Sequence, residues 1–266
     1  MQGLIHSVYY SNDILKTSIH HHDCHQILFI TKGEAEICVN NDVHIAKSGN
    51  IIIFSRYENH SVNILSQEYE RYILRIRPTG YNDYNKIYSL LSNRPKGFNN
   101  IIDINHTKDE FQALFELIIA EHNSADELSE EMMCSHINRL LIMLYRSLPK
   151  NENYFESQGF ELILKLQKEF EENYSLYYAL DDLAKQYNIS VSTLSHQFKK
   201  ITGMSVMDYL LSCRIASAKN FLAKTNMSIG EIVEQCGFSD NSNFSRTFKK
   251  LNGITPTEFR KKNKVK

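Results

Sequence analysis

The sequence has no tryptophan and only four prolines among its 266 residues. It has no apolar run near the roughly 20 residues that a membrane-spanning helix requires, so no membrane partner is expected. The start of the chain has no basic segment leading into an apolar one, which argues against secretion and for a cytoplasmic protein. Cysteine is sparse and odd in number: Cys24, Cys38, Cys134, Cys213 and Cys236, with no C-x-x-C pair. That pattern excludes a disulfide framework or a zinc ribbon and suits reduced thiols. What is present is a globular composition, 42% hydrophobic and 23% charged, on a chain long enough for two domains.

A formal net charge of −1 conceals an asymmetry. Residues 1–160 carry 14 basic and 20 acidic side chains, whereas residues 161–266 carry 16 and 11. From Leu183 onward the count is 14 against 5. An acidic half followed by a basic half suggests two tasks, the second of them on a polyanion.

Between Ile19 and Ile76 short apolar or alternating runs read as strands, at 27–31, 35–39, 51–54, 62–65 and 72–76. Lys32-Gly33, Asn40-Asn41, Ser48-Gly49-Asn50 and Glu58-Asn59 supply turn chemistry between them. Short strands so closely spaced predict a small barrel or sandwich. After Pro78 the period becomes helical. Residues 84–91 form a short candidate helix, and Thr107 with Glu110 has the spacing of a capping box ahead of Phe111, Leu114, Phe115 and Ile118. A longer helix begins at Leu128, carries Met133, Ile137, Leu140, Leu141 and Leu144 on one side, and ends at Leu148 before Pro149. The polar stretch 151–159 reads as a linker, so the expected division is 1–150, 151–159 and 160–266.

The strongest signal is an internal repeat. Leu180, Leu183, Ala184 and Ile189 match Ile229, Ile232, Val233 and Phe238 at an offset of 49. Leu194, Phe198, Lys199, Lys200, Gly203 and Tyr209 match Phe244, Phe248, Lys249, Lys250, Gly253 and Phe259 at an offset of 50. The single inserted residue falls at a turn. Each unit reads as helix, tight turn, helix, with Asp181 and then Ser190 or Ser192 as caps in the first, and Ser239 or Asp240 in the second. Asn188 and Gly237 are the expected left-handed stops. In each second helix two apolar residues four apart face inward. The opposite face shows Ser192, Ser195, His196 and Lys199 in the first unit, and Asn241, Ser242, Ser245, Arg246 and Lys249 in the second. These groups suit base edges and phosphates, and neither face carries an acid.

On these residues the last hundred positions resemble the DNA-binding domain of the AraC family of bacterial transcription regulators, in which a long helix joins two helix-turn-helix units. The resemblance includes Arg214, Ile215, Ala218 and Leu222 in the linking helix and GFSDNSNFSRTFKKLNGITPTEFR over 237–260. It implies that both second helices enter the major groove. Base contacts then fall to Ser192, Ser195, His196, Asn241, Ser242, Ser245 and Arg246. His196 stands where the family often has arginine or glutamine.

The strands ahead of this domain resemble the cupin-type sensor domains of many AraC-family members. A cupin metal motif runs H-x-H, Glu, Gly and a later His. Here His20 and His22 are followed by Gln26, Gly33 and His60. With an amide in place of the carboxylate, no metal and no cofactor are expected, and the inward-facing residues His22, Gln26, Leu28, Ile37, Phe54, His60 and Tyr72 are expected to line a pocket for a small polar effector. The helix that starts at Leu128 is expected to pack on the barrel and, by the resemblance, also to pair with its copy in a homodimer, with Met133, Ile137, Leu141, Leu144 and Leu148 at near-heptad spacing; a wide apolar face can serve both uses. The expected fold is therefore α+β: a cupin-like barrel with accessory helices, then an all-α double helix-turn-helix. The expected function is effector-controlled, sequence-specific DNA binding with contact to RNA polymerase, without enzymatic activity. Two rival readings are a metal-dependent cupin enzyme fused to a DNA-targeting module and an architectural DNA binder without an effector.

Overall fold

The computed structural model describes residues 4–14, 17, 19–39, 42–77, 87–91, 100–124, 126–148 and 159–263. The chain parts into two compact units, residues 1–161 with 200–203 and residues 162–199 with 204–266. The expected linker at 151–159 lies, apart from Gly159, outside the described residues.

In the first unit, β1 (Ile5–Ser11), β2 (His25–Lys32), β5 (Asn50–Phe54), β7 (Glu70–Ile76) and β8 (Ile101–Asp103) form an antiparallel sheet in the order β1-β7-β2-β5-β8. A second sheet holds β3 (Glu34–Val39), β4 (Asp42–Lys47) and β6 (His60–Ile64) in the order β4-β3-β6. Side chains alternate across a strand, and the larger sheet is covered on both faces. Leu28, Ile30, Ile52, Phe54 and Ile73 pack against Ala35, Ile37, Val39 and Val62 of the smaller sheet. Ile27, Phe29, Ile51, Ile53, Tyr72 and Leu74 point the other way, into a core completed by α1 (Lys108–Ser124) and α2 (Ser129–Ser147). Two covered faces explain why the central strands read as continuous apolar runs.

All five expected strands are present. The three that pattern alone did not reveal, β1, β4 and β8, are edge strands. An edge strand buries little, so its alternation is weak: Val43 and Ile45 of β4 are exposed. Of the short helix expected at 84–91, Tyr88–Leu91 forms a 3-10 turn, and 84–86 lie outside the described residues. Thr107 closes a 3-10 turn over Asn105–Thr107, its hydroxyl donating to the Ile104 carbonyl at 3.4 Å.

The expected dimer seam on α2 needs correction. Met133, Ile137, Leu141, Leu144 and Leu148 are buried within this protomer, packed with Phe111, Leu114, Phe115 and Ile118 of α1. The sheet and α1 take the whole stripe. The side of α2 left exposed carries Leu128 before its first turn, then Met132, Arg139 and Tyr145.

The second unit contains α3 (Phe160–Glu172), α4 (Leu180–Gln186), α5 (Val191–Thr202), α6 (Val206–Lys224), α7 (Ile229–Gln235), α8 (Asn241–Asn252) and α9 (Pro256–Asn263). The repeat is visible in its caps. Ser205 caps α6 by accepting from the Asp208 amide at 3.2 Å, and Thr255, fifty residues on, accepts from Glu258 at 3.3 Å. Ser228 and Glu231 form a reciprocal capping box on α7. At the matching position α4 begins after Ala179, which has no side-chain oxygen to offer, so Asp181 is not the cap. It lies with Asp182 in the first turn, where a carboxylate favours the positive end of the helix dipole.

Asn188, Gly203, Gly237 and Gly253 all adopt left-handed backbone, with φ of 53°, 76°, 71° and 75°. A β-carbon at Gly237 would overlap the Ser175 carbonyl, whereas one at Gly253 would meet open space. Left-handed backbone alone costs a substituted residue ~1–2 kcal/mol. Gly253→Ala is thus expected to lose about that much stability, and Gly237→Ala clearly more, because backbone must also shift. Chemical denaturation of the two variants checks the difference; equal losses would show that the Ser175 approach is not as close as it stands here.

Candidate nucleic-acid interface and ligand site

Two turns set the second helix of each unit. Asn188 ends the first, and the Ser190 hydroxyl accepts from the Thr193 amide at 3.0 Å, so Ser190 rather than Ser192 starts α5. In the second unit Gly237 makes the turn and Asp240 accepts from the Asn243 amide at 2.7 Å. That hydrogen bond, with a further one from the Ser239 hydroxyl, holds the Asp240 carboxyl below its ordinary range. Ser192 is thereby freed to face outward.

Leu194 and Phe198 of α5 and Phe244 and Phe248 of α8 are wholly buried. Phe198 packs edge-on against Tyr209 at 5.5 Å, and at the repeat-related position Phe248 packs edge-on against Phe259, also at 5.5 Å. With both apolar pairs fixed inward, the opposite face has only one direction to point. Ser192, His196 and Lys199 are exposed and Ser195 is half-buried; Asn241, Ser242, Arg246 and Lys249 are exposed and Ser245 is half-buried. The spacing of 192, 195, 196 and 199 repeats at 242, 245, 246 and 249, so each helix presents one polar strip of short side chains ending in lysine. Lys200 and Lys250 are exposed beside them and add positive charge along each strip. Arg214 braces the unit from behind: its Nε donates to the Tyr174 carbonyl and its Nη2 to the Leu176 carbonyl, both at 2.8 Å.

In the first unit the structure brings together most of the expected pocket residues and moves one away. Leu28, Ile37 and Phe54 share the core between the sheets, and His60, on the same face of β6 as Val62, stacks on Phe54 with ring centroids 4.0 Å apart. Backbone bonds between His20 and His60, at 2.8 and 3.0 Å, set those residues side by side. His22 is tied to Tyr57 by a backbone bond of 2.7 Å, and the ring centroids of His20, His22 and His60 lie 4.5–5.3 Å apart. Burial, followed by the Arg75 charge and the neighbouring imidazoles, pushes His22 down to about 2. Burial also takes His60 down to about 3. Both rings are neutral at physiological pH.

Tyr72 is the correction. It lies on the opposite face of the large sheet, against Phe29 and Phe115, with its hydroxyl donating to Glu116 at 3.0 Å. Its neighbour Ile73 is the inward residue, and one step along a strand reverses the face. The same parity points Arg75 inward, a residue the sequence reading passed over. Arg75 Nε donates to the Gln26 carbonyl oxygen at 3.0 Å across the β2–β7 pair, so Gln26 is buried with its oxygen committed.

A sheet-rich unit with a polar cluster between its sheets, followed by a duplicated helix-turn-helix with basic faces, defines a DNA-binding transcription regulator with a separate ligand-binding domain. Residues 183–262 match the helix-turn-helix domain family, and residues 6–136 match the AraC-like ligand binding domain family. The chain belongs to the AraC family of transcription regulators. It is 25% identical over 247 residues to the HTH-type transcriptional activator RhaR of Mannheimia succiniciproducens, spanning 91% of this chain and 86% of that protein. It is 28% identical to the Msm operon regulatory protein of Streptococcus mutans over 57% of this chain and 55% of that one. Among solved structures, ToxT from Vibrio cholerae O395 has a TM-score of 0.60 at 16% identity, over 96% of each chain, a likeness of fold. Among the described residues no helix is long and apolar enough to cross a membrane.

Proposed function

We propose that residues 160–266 read promoter DNA through the strips on α5 and α8, under the control of a small polar effector bound between the sheets of residues 1–150, with 151–159 as the linker. Base edges are read by Ser192, Ser195, His196, Asn241, Ser242, Ser245 and Arg246, and phosphates are held by Lys199 and Lys249. His22, Gln26, Phe54 and His60 line the effector pocket. Tyr72, on the far face of the sheet, leaves that set. The protein acts as a homodimer in the cytoplasm, recruits RNA polymerase and catalyses no reaction. Since the Leu141 side of α2 is occupied within the protomer, the subunit contact falls to the exposed side with Leu128, Met132 and Arg139.

The observation that carries this reading is the duplicated, acid-free strip on two helices whose other faces are fully buried. A single amphipathic helix is common, but two in register with the same polar spacing present matched surfaces to a repeating target such as successive major-groove segments. An effector acts by binding one arrangement of the protein better than another, which shifts the population competent for paired DNA sites.

The test is fluorescence anisotropy of the full chain on DNA taken from the region upstream of its own gene, with random duplex as competitor. Specific binding should exceed binding to random DNA by at least ~10³-fold. The affinity should fall steeply with salt, as expected for release of counterions by the lysine–phosphate contacts. Equal affinity for both duplexes at every salt concentration would leave an architectural binder instead.

A further inference from the structure

Arg75, Gln26 and Phe54 form one row across β7, β2 and β5, because Gln26 pairs with Arg75 on one side and with Phe54 on the other. The next row on that face, Ile73, Leu28 and Ile52, is apolar and buried. A cation therefore sits at one end of an apolar floor. Its Nε donates to Gln26 at 3.0 Å, and no carboxylate of the described residues forms an ion pair with it. Arg71, of the same parity at the far end of the strand, donates to the Asp13 carbonyl at 2.9 Å. Arg75 is half-buried, and its two terminal nitrogens still have donors to give. A guanidinium drawn between sheets without a counter-charge is costly, and its planar fork matches a carboxylate.

A second observation lies on the facing strand β6. His60 is only 2% exposed, and Phe54 stacks on it at 4.0 Å. Its Nδ1 lies 2.8 Å from the Glu58 carbonyl. A carbonyl only accepts, so Nδ1 carries the proton and Nε2 keeps a lone pair. That Nε2 is buried and has no hydrogen-bond partner. A buried acceptor left this way costs stability until a donor reaches it. The arginine fork calls for an anion and the imidazole for a hydroxyl. Phe54 links the two, as the neighbour of Gln26 in the row and the stacking partner of His60.

We propose that the effector is a hydroxycarboxylic acid, such as a sugar acid, whose carboxylate pairs with Arg75 and whose hydroxyl donates to His60 Nε2. The inference rests on the reading of this unit as an effector domain and names the class of molecule it takes. A neutral sugar would close the site over an unpaired guanidinium, and an acid without a hydroxyl would leave Nε2 unmet. Each mismatch leaves a desolvated polar group without a partner, which is what separates one ligand class from another. The bond from Nε to Gln26 holds the guanidinium in place before the ligand arrives, so less ordering is required on binding.

The test titrates the full chain by calorimetry and thermal shift, with chelator present throughout, against D-galacturonate, D-gluconate and L-lactate. The matched probes are D-galactose and D-glucitol, which keep the hydroxyls without the acid, and propionate, which keeps the acid without the hydroxyl. At least one hydroxy acid should bind and raise the melting temperature, at least ~10-fold more tightly than its matched probe. Arg75→Gln, which keeps an amide donor but no charge, should remove that preference. Arg75→Lys, which restores the charge without the fork, should recover part of it. Arg71→Gln makes the same change of charge at the far end of the strand and should bind as the parent does. Silence of all three acids, equal affinity for acids and matched probes, or a preference that survives Arg75→Gln would overturn the proposal. Specific DNA binding by the ligand-free parent chain is measured in parallel, so a failure here is distinct from a failure of the regulator reading.

Discussion

Leu141→Glu is expected to unfold the N-terminal unit rather than to split a dimer. Leu141 is fully buried on α2, facing the core that α1 and the large sheet share. Replacing it removes an apolar side chain that is worth ~2–5 kcal/mol even when the replacement is alanine. The glutamate then adds a charge among the apolar residues of that cluster, a further penalty of several kcal/mol. Domains of this size are stable by only ~5–15 kcal/mol, so the sum approaches the whole. Met132→Glu, on the exposed side of the same helix where the proposed subunit contact falls, should leave each protomer folded and shift the dimer toward monomer. Thermal denaturation by circular dichroism reads the first effect, and sedimentation equilibrium reads the second. A folded Leu141→Glu chain with parental melting behaviour would show that this face of α2 is not in the protomer's own core.

That contrast also shows where pattern stops being informative. Heptad-like spacing on α2 says that one side is apolar, but a sheet and a second subunit both accept such a side. Only the surface area already waiting in the fold decides between them, and here Phe111, Phe115 and the outer face of β2, β5 and β7 take it. The helix-turn-helix repeat was readable in detail because its constraints are local: left-handed Asn188 and Gly237, caps at fixed offsets, and aromatic pairs four residues apart. The barrel was readable at its central strands and at one edge, β6. Strands covered on both faces announce themselves, whereas β1, β4 and β8 at the edges do not. Facing residues within a strand follow from parity once one member is fixed. Ile73 in the core fixes Arg75 inward and Tyr72 outward, so the error at Tyr72 was open to correction from the sequence YILRI itself. The bond from Arg75 to Gln26 was not, because it crosses between strands whose register no sequence pattern specifies.

Arg246→Ala is expected to cost about 1–3 kcal/mol of binding to the specific site and to relax the preference at one base pair. Arg246 sits in the middle of the exposed strip of α8, between Ser242 one turn before and Lys249 one turn after, on a helix fixed from behind by Phe244 and Phe248. A guanidinium on a helix so anchored makes paired bonds to a guanine edge only in one register, which is what gives base discrimination. Lys249 lies at the end of the strip, where an ammonium on a flexible stem meets phosphate without regard to sequence. Lys249→Ala should therefore weaken specific and random DNA alike and lower the salt slope by about one counterion. Both side chains are exposed, so neither change should move the melting temperature of the free protein by a measurable amount. Affinity measured against a set of single-base variants of the site, at two or more salt concentrations, separates the two behaviours. If both substitutions weakened every duplex equally, Arg246 would be a phosphate anchor, and discrimination in the second unit would rest on Asn241, Ser242 and Ser245.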